Sequence, residues 1–177
     1  MRFIFFLFIS TFCFAQKTFV ENSKLSFFSA APFEDISAVS NKLQGVVDFE
    51  TGSFFFRIPI HTFIFPSSLM QKHFNEKYME TDKYSLSSFK GSFEKSININ
   101  ENQETKINAQ GILNIHGIDQ SVNIETELNI QNKTVEFKSE FDVYLRDYKI
   151  KVPKIVRMNI ADTIQVNVSG LLKERNQ

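Results

Sequence analysis

The sequence predicts an all-β protein, folded as an extended antiparallel barrel of about eight strands with one short inserted helix. The main observation is a period of two: between Ser121 and Ile130 one side of the chain carries Val122, Ile124, Thr126, Leu128 and Ile130, and the other is polar. The same alternation occurs in 107–115, 135–143 and 164–168. These runs reach about ten residues, whereas a typical strand has about five or six, and long strands with one dry face suit a closed barrel.

Ten strand segments are predicted along the chain. The shortest early segments are expected to merge, which gives about eight strands. Glu50–Gly52 and Gln131–Lys133 are predicted turns between antiparallel neighbours, and Asn100–Gln103 is a polar connection. The predicted segments are 17–21, 24–30, 36–41, 44–50, 53–61, 87–98, 105–116, 121–131, 134–145 and 158–171.

One segment departs from the strand pattern and predicts a helix near 68–79. Ser68 and Gln71 match a capping box, and Met70, Phe74 and Tyr78 follow at helical spacing. An amphipathic helix inserted between barrel strands would cover the mouth as a lid or plug. Simple packing of a helix against the core is equally compatible with this spacing.

Phenylalanine is concentrated in the first half of the chain. Of 21 phenylalanines, six lie before Gln16, thirteen between Phe19 and Phe93, and two later. An aromatic core explains part of this excess, and a deep apolar cavity for a flexible hydrocarbon explains it as well. The predicted lining of that cavity is Phe54, Phe56, Ile58, Met70, Phe74, Tyr78, Phe89, Leu113, Ile115, Phe137 and Phe141. Arg57 and His61 are candidates for contact with a polar headgroup.

The first fifteen residues have the pattern of an export signal, with Arg2, an apolar core in 3–9 and a small-residue cleavage site at 13–15. Cleavage before Gln16 is the main prediction, while lipidation at Cys13 and a retained anchor are alternatives. The domain boundaries are therefore 1–15 for the signal and 16–177 for one barrel domain, exported to the periplasm or beyond. No later segment is apolar enough to predict a membrane span.

The net charge and the motifs of the chain argue against nucleic-acid binding and against nucleophilic catalysis. Loss of Arg2 would leave 19 basic and 20 acidic side chains and a formal charge of −1, which does not favour nucleic acid as a partner. His73 and Glu76 share one side of the predicted helix and, with His61 or His116, could form a metal site, but this spacing is common by chance. His116 is expected on the polar side of its strand, which ends at a turn. No nucleophile motif, catalytic set or cofactor is predicted.

Several stretches occur in one order across most of the chain: 27–36, 56–60, 70–80, 89–91, 111–117 and 148–153. Together they resemble the YceI-like polyisoprenoid-binding family. Related sequences usually carry proline where this chain has Ser85. The resemblance implies an exported bacterial protein with a lipocalin-like barrel that holds one long isoprenoid-type or similar amphiphilic lipid.

Three hypotheses follow from these observations. The first is a non-catalytic carrier or binding protein for a long-chain lipid, without a further cofactor. The second is a structural or interaction module whose phenylalanines fill the barrel or a homodimer interface. The third, less favoured, is a metal-assisted enzyme acting on an envelope lipid through His73 and Glu76.

Overall fold

The computed structural model describes residues 17–30, 35–94, 96–153 and 161–174. Strands dominate these ranges, and the longest helical segment comprises α1 (Ser68–His73) followed by a π-helical turn (Phe74–Tyr78). Short 3₁₀ turns occur at Ile60–Thr62 and Leu145–Tyr148. The strands are β1 (Lys17–Ser29), β2 (Ile36–Ser40), β3 (Gln44–Asp48), β4 (Ser53–Pro59), β5 (Leu86–Ser92), β6 (Gln103–Ile115), β7 (Ile118–Gln131), β8 (Thr134–Tyr144) and β9 (Thr163–Glu174).

Eight of these strands close an antiparallel barrel. The hydrogen-bonded order runs from β1 through β3, β4, β5, β6, β7 and β8 to β9, and β9 pairs back with β1. The closing pair extends from Thr18 opposite Glu174 to Phe28 opposite Gln165. The predicted barrel of about eight strands is therefore confirmed, and its closure leaves no free edge between β9 and β1.

The ninth strand, β2, lies outside the closed ring. β1 pairs with β3 through Lys17–Phe19 and with β2 through Leu25–Ser29. The two predicted segments 17–21 and 24–30 thus form one strand, with a bulge between Val20 and Asn22. A bulge bends a strand and increases its twist, and here it separates the part of β1 that pairs with β3 from the part that pairs with β2.

The alternation read from the sequence describes β6, β7, β8 and β9 correctly. In β7, Ile124, Thr126, Leu128 and Ile130 are buried while Glu125 and Glu127 are exposed. These four strands contain 13, 14, 11 and 12 residues, so the prediction of unusually long strands is confirmed. The predicted turn at Gln131–Lys133 is also present, with positive φ at Asn132 and Lys133, as a tight hairpin turn requires.

The predicted strand at 87–98 is wrong in its second half. β5 ends at Ser92, and the chain then crosses the end of the barrel, where the Phe93 N–H donates to the Gly52 carbonyl and the Ile97 N–H to the Phe49 carbonyl. Burial explains the error, because Phe93, Ile97 and Ile99 alternate with exposed residues as a strand would. The first part of the predicted segment 158–171 and the export signal lie outside the described residues.

β5 and β6 approach closely where Gly91 lies opposite Gly111. A Cβ atom added to Gly91 would collide with the Gln110 carbonyl and the Gly111 backbone, which cannot move aside as a side chain would. We expect Gly91→Ala to lower the free energy of unfolding by about 2 kcal/mol or more, as overpacking does. Urea unfolding measures this, with Ser92→Ala as the control. Equal stability of Gly91→Ala and wild type would contradict the close approach.

Candidate functional site

A cavity of about 380 Å³ occupies the inside of the barrel. Holding one water molecule takes only about 10–15 Å³ of such volume, so this space is far larger than a packing defect, and it falls within the range of about 300–1,000 Å³ typical of ligand pockets. Its wall is made by inward-facing side chains of the barrel strands and by the helical segment. The barrel is therefore hollow rather than filled by its own side chains.

One end of the barrel is closed by apolar side chains. Phe49 and Phe93 lie with their ring centroids 6.0 Å apart. Ile99, Ile130 and Val135, which lie at the same end of the strands, are completely buried. We call this the closed end of the barrel.

The opposite end is covered by the segment between β4 and β5, which includes α1 and the π-helical turn. We call residues 67–79 the lid. Its first turn is capped by Ser67, whose Oγ accepts a hydrogen bond from the Met70 N–H, so the cap lies one residue before the predicted Ser68. Gln71 does not complete a capping box, because its Oε1 accepts the N–H of Phe65 instead. The predicted helix is otherwise confirmed over Ser68–Tyr78.

An aromatic cluster attaches the lid to the barrel. The ring centroid of Phe74 lies 4.9 Å from that of Phe65, 5.6 Å from Phe27 and 5.8 Å from Phe63. The π-helical turn is closed by the Met79 N–H, which donates to the Phe74 carbonyl over 2.9 Å. Phe74 and Tyr78 both line the cavity, so the lid contributes its apolar side to the wall.

A second aromatic group forms the wall along β4 and β5. Phe56 lies opposite Phe89 in the strand pairing, and the Phe54 and Phe89 rings are 4.8 Å apart. Phe137 of β8 reaches Phe56 across the barrel, at 5.8 Å between ring centroids. Phe55, between two inward residues, is exposed. Aromatic rings thus surround a space that has room for a flexible apolar chain.

The structure brings together all eleven residues that the sequence nominates as a cavity lining. These are Phe54, Phe56, Ile58, Met70, Phe74, Tyr78, Phe89, Leu113, Ile115, Phe137 and Phe141. The two headgroup candidates differ in position. Arg57 contributes to the cavity wall but is exposed, and its Nε donates to Gln44 Oε1 over 2.9 Å. His61 is exposed in a 3₁₀ turn and is not among the described residues that line the cavity.

The histidines nominated for a metal site do not come together. His73 lines the cavity, Glu76 is exposed, and His116 lies beside Glu80 instead. Within the described ranges, no group of three or more His, Cys, Asp or Glu side chains is placed to hold a metal ion. The same ranges contain no helix with the length and apolar character needed to span a bilayer.

His116 occupies the predicted turn but is buried, so its expected exposure on the polar side is wrong. Its Nε2 lies 2.9 Å from Glu80 Oε2, and its Nδ1 lies 3.2 Å from the Tyr148 carbonyl oxygen. The ring also packs against Tyr84 at 4.4 Å. Both ring nitrogens therefore face acceptors, and the imidazole connects the end of the lid to the β6–β7 turn and to the 3₁₀ turn after β8. Glu80, 36 residues away in sequence, provides a partner that the local pattern does not reveal.

Tyr148 makes the stability of this end sensitive to high pH. Burial, with a smaller contribution from the Asp147 carboxylate, raises the pKa of Tyr148 from 10.0 to about 12. As pH rises above the ordinary value, the unfolded tyrosine ionises before the folded one, so unfolding becomes more favourable. We expect the unfolding free energy to fall between about pH 10 and 12, and to fall less in Tyr148→Phe.

Urea unfolding at a series of pH values measures this effect. Tyr144→Phe serves as the control because Tyr144 is exposed. Parallel pH profiles for Tyr148→Phe and wild type would contradict the assignment.

The fold and the site define a class of protein: a small antiparallel barrel that encloses an apolar ligand cavity beneath a helical lid. The chain belongs to the YceI-like domain family, which matches residues 17–171. No curated protein sequence matches it significantly.

Solved structures share this fold at low sequence identity. A polyisoprenoid binding domain from Saccharophagus degradans, implicated in plant cell wall breakdown, superimposes with a TM-score of 0.76 at 11% identity, covering 91% of this chain and 99% of that one. BcnA of Burkholderia cenocepacia gives 0.72 at 16% identity, with 84% and 95% covered. The Campylobacter jejuni YCEI protein gives 0.56 at 13% identity, with 100% and 94% covered.

Proposed function

We propose that this chain is an exported binding or carrier protein that encloses one long-chain isoprenoid or similar amphiphilic lipid. The observation that carries the proposal is the apolar cavity of about 380 Å³ under the lid. The name of the Saccharophagus degradans neighbour, a polyisoprenoid binding domain, supports the same ligand class. Family membership and the signal pattern in residues 1–15 support export.

Burial of the hydrocarbon supplies the affinity in this proposal. Each methylene removed from water contributes roughly 0.8 kcal/mol, so a tail of about twenty carbons offers about 16 kcal/mol before the costs of ordering and association. This gain is large enough for tight binding. Release of the lipid is then the slow step, and it needs a part of the structure that can open. The lid can serve as this part: the packing of Phe74 on Phe65 and the hydrogen bond from the Phe65 N–H to Gln71 Oε1 hold it in place, and both contacts are reversible.

The role we propose is non-catalytic. The cavity wall is dominated by aromatic and aliphatic side chains, which provide contact area and no acid, base or nucleophile. His73 lines the cavity and is the lining residue best suited to act as an acid or base. Its nominated partner Glu76 is exposed to solvent. In this proposal the bound lipid is the ligand, and no cofactor takes part.

A structural or interaction module is the second candidate, and exposed apolar side chains favour it. Phe55, Ile64 and Leu69 are 41%, 64% and 61% exposed, more than large apolar residues usually are. A second copy of this chain is one surface that could cover them. The hollow barrel favours the carrier over a module whose phenylalanines fill the interior.

Lipid extraction tests the proposed function. The exported protein is purified without added lipid, extracted with organic solvent, and the extract is analysed by mass spectrometry. We expect an approximately stoichiometric long-chain lipid, and we expect the stripped protein to take up isoprenoid lipid from vesicles. A protein that carries no lipid and takes up none would contradict the carrier and favour the interaction module.

A further inference from the structure

Ser87 places an unusual polar group in the apolar cavity. It is the second residue of β5, opposite Ile58 of β4, and it lines the cavity on the same face as Phe89. Only 8% of the residue is exposed. Its Oγ is buried and has no hydrogen-bond partner in the part of the chain that the structure describes.

Three other hydroxyls of the cavity wall have partners. Thr126 Oγ1 and Ser139 Oγ lie 2.8 Å apart and satisfy each other. Ser29 Oγ accepts the Ala161 N–H over 3.0 Å. A buried hydroxyl without a partner lowers stability, and it can both donate and accept. Ser87 therefore differs from Ser29, Thr126 and Ser139, because its buried hydroxyl offers an unused hydrogen-bonding group to whatever enters the cavity.

The position of Ser87 relates it to the lid. β4 ends at Pro59 and β5 begins at Leu86, and the lid lies in the segment that joins them. Ser87 is thus at the lid end of the barrel, whereas Phe49 and Phe93 lie at the closed end. A ligand held by Ser87 near its polar group would direct its hydrocarbon tail toward the closed end.

The surroundings favour an uncharged group. Among the described residues that line the cavity, Arg57 and His73 are the ones that can be charged near neutral pH, because burial raises the pKa of Tyr78 further above its ordinary value. Arg57 is exposed and already bonded to Gln44. An ion buried without a partner is far more costly than a neutral oxygen, which a single hydroxyl can satisfy.

We infer that Ser87 Oγ is the hydrogen-bonding contact for one uncharged oxygen of the ligand, such as a hydroxyl or carbonyl group placed beneath the lid. This inference rests on the proposed lipid-binding function and makes the ligand a long hydrocarbon with a neutral polar head. Ser87 is then a specificity-determining residue, while the aromatic wall provides the affinity.

A pair of probes tests the inference. Stripped protein is incubated with neutral phosphatidylcholine vesicles that contain equal amounts of an isoprenoid alcohol of about twenty carbons and the matching hydrocarbon without oxygen. Mass spectrometry of the re-isolated protein gives the ratio of bound alcohol to bound hydrocarbon. We expect Ser87→Ala to lower this ratio about three- to tenfold relative to wild type, the range of one hydrogen bond.

The control is Ser92→Ala, the same substitution in the same strand at an exposed position outside the cavity wall. Its ratio is expected to equal that of wild type. We also expect ligand-free Ser87→Ala to melt no lower than wild type, since the substitution removes an unpaired buried hydroxyl.

An unchanged ratio in Ser87→Ala, or a clear loss of its ligand-free stability, would overturn the assignment of Ser87, because water or protein would then satisfy the hydroxyl. If the Ser87 assignment fails in this way but wild type takes up both probes, the proposed carrier function still stands. Uptake of neither probe by wild type would overturn the proposed function together with this inference.

Discussion

Replacing Ala109 with tryptophan is expected to abolish lipid binding while leaving the barrel folded. Ala109 lies in β6, is 6% exposed and lines the cavity. An indole at this position would extend into the cavity and occupy space that the hydrocarbon needs. We expect at least a hundredfold loss of affinity for a long isoprenoid lipid, since several methylenes would lose their burial site.

The measurement compares uptake from vesicles by Ala109→Trp, by wild type and by Gln110→Trp. Gln110 is the next residue in β6 and is exposed, so its substitution adds the same side chain outside the barrel. Thermal unfolding of each variant shows that the fold is retained. Normal lipid uptake by a folded Ala109→Trp would contradict a binding site inside the barrel.

Replacing Phe74 with alanine is expected to detach the lid. The substitution removes the ring that contacts Phe27, Phe63 and Phe65. Large-to-small changes of this kind cost about 3–5 kcal/mol when the ring is fully buried, and we expect about 3 kcal/mol for this half-buried one. Because the lid retains the ligand in our proposal, we expect lipid release to be ten- to a hundredfold faster. This corresponds to an activation free energy for release that is lower by about 1.4–2.8 kcal/mol.

Transfer of a fluorescent lipid from loaded protein to acceptor vesicles measures the release rate. Leu69→Ala is the control on the same helix, because Leu69 is 61% exposed. Phe74→Leu is expected to give an intermediate rate and keeps the test usable if Phe74→Ala unfolds. An unchanged release rate in both Phe74 variants would contradict the role of the lid.

The parts of the fold that the sequence predicts well are those in which local pattern and tertiary environment agree. β7 alternates because one of its faces borders a dry interior and the other borders water. The burial of Ile124 and the exposure of Glu125 can therefore be predicted from the sequence of this strand alone. The lid was recognisable because Met70, Phe74 and Tyr78 have a different period. The inward side of the Phe54–Phe56 run did not follow from periodicity, because three consecutive phenylalanines place rings on both faces of a strand.

The errors arise where a distant contact determines the structure. Ile97 and Ile99 alternate like a strand, yet they are buried by crossing the barrel end, which no local pattern encodes. His116 has polar neighbours in sequence and is buried by Glu80 and Tyr148. Ser87 begins the predicted strand 87–98, and its spacing of two from Phe89 places both residues on one strand face, but no local pattern shows that its hydroxyl is buried without a partner.

Native mass spectrometry of the intact exported protein tests the central claim most directly. We predict one lipid per chain, released as a single long-chain molecule on collisional activation and absent from Ala109→Trp. Purified wild-type protein that has only the bare polypeptide mass, and keeps it after incubation with isoprenoid lipid, would contradict the claim that the hollow barrel is a lipid-binding site.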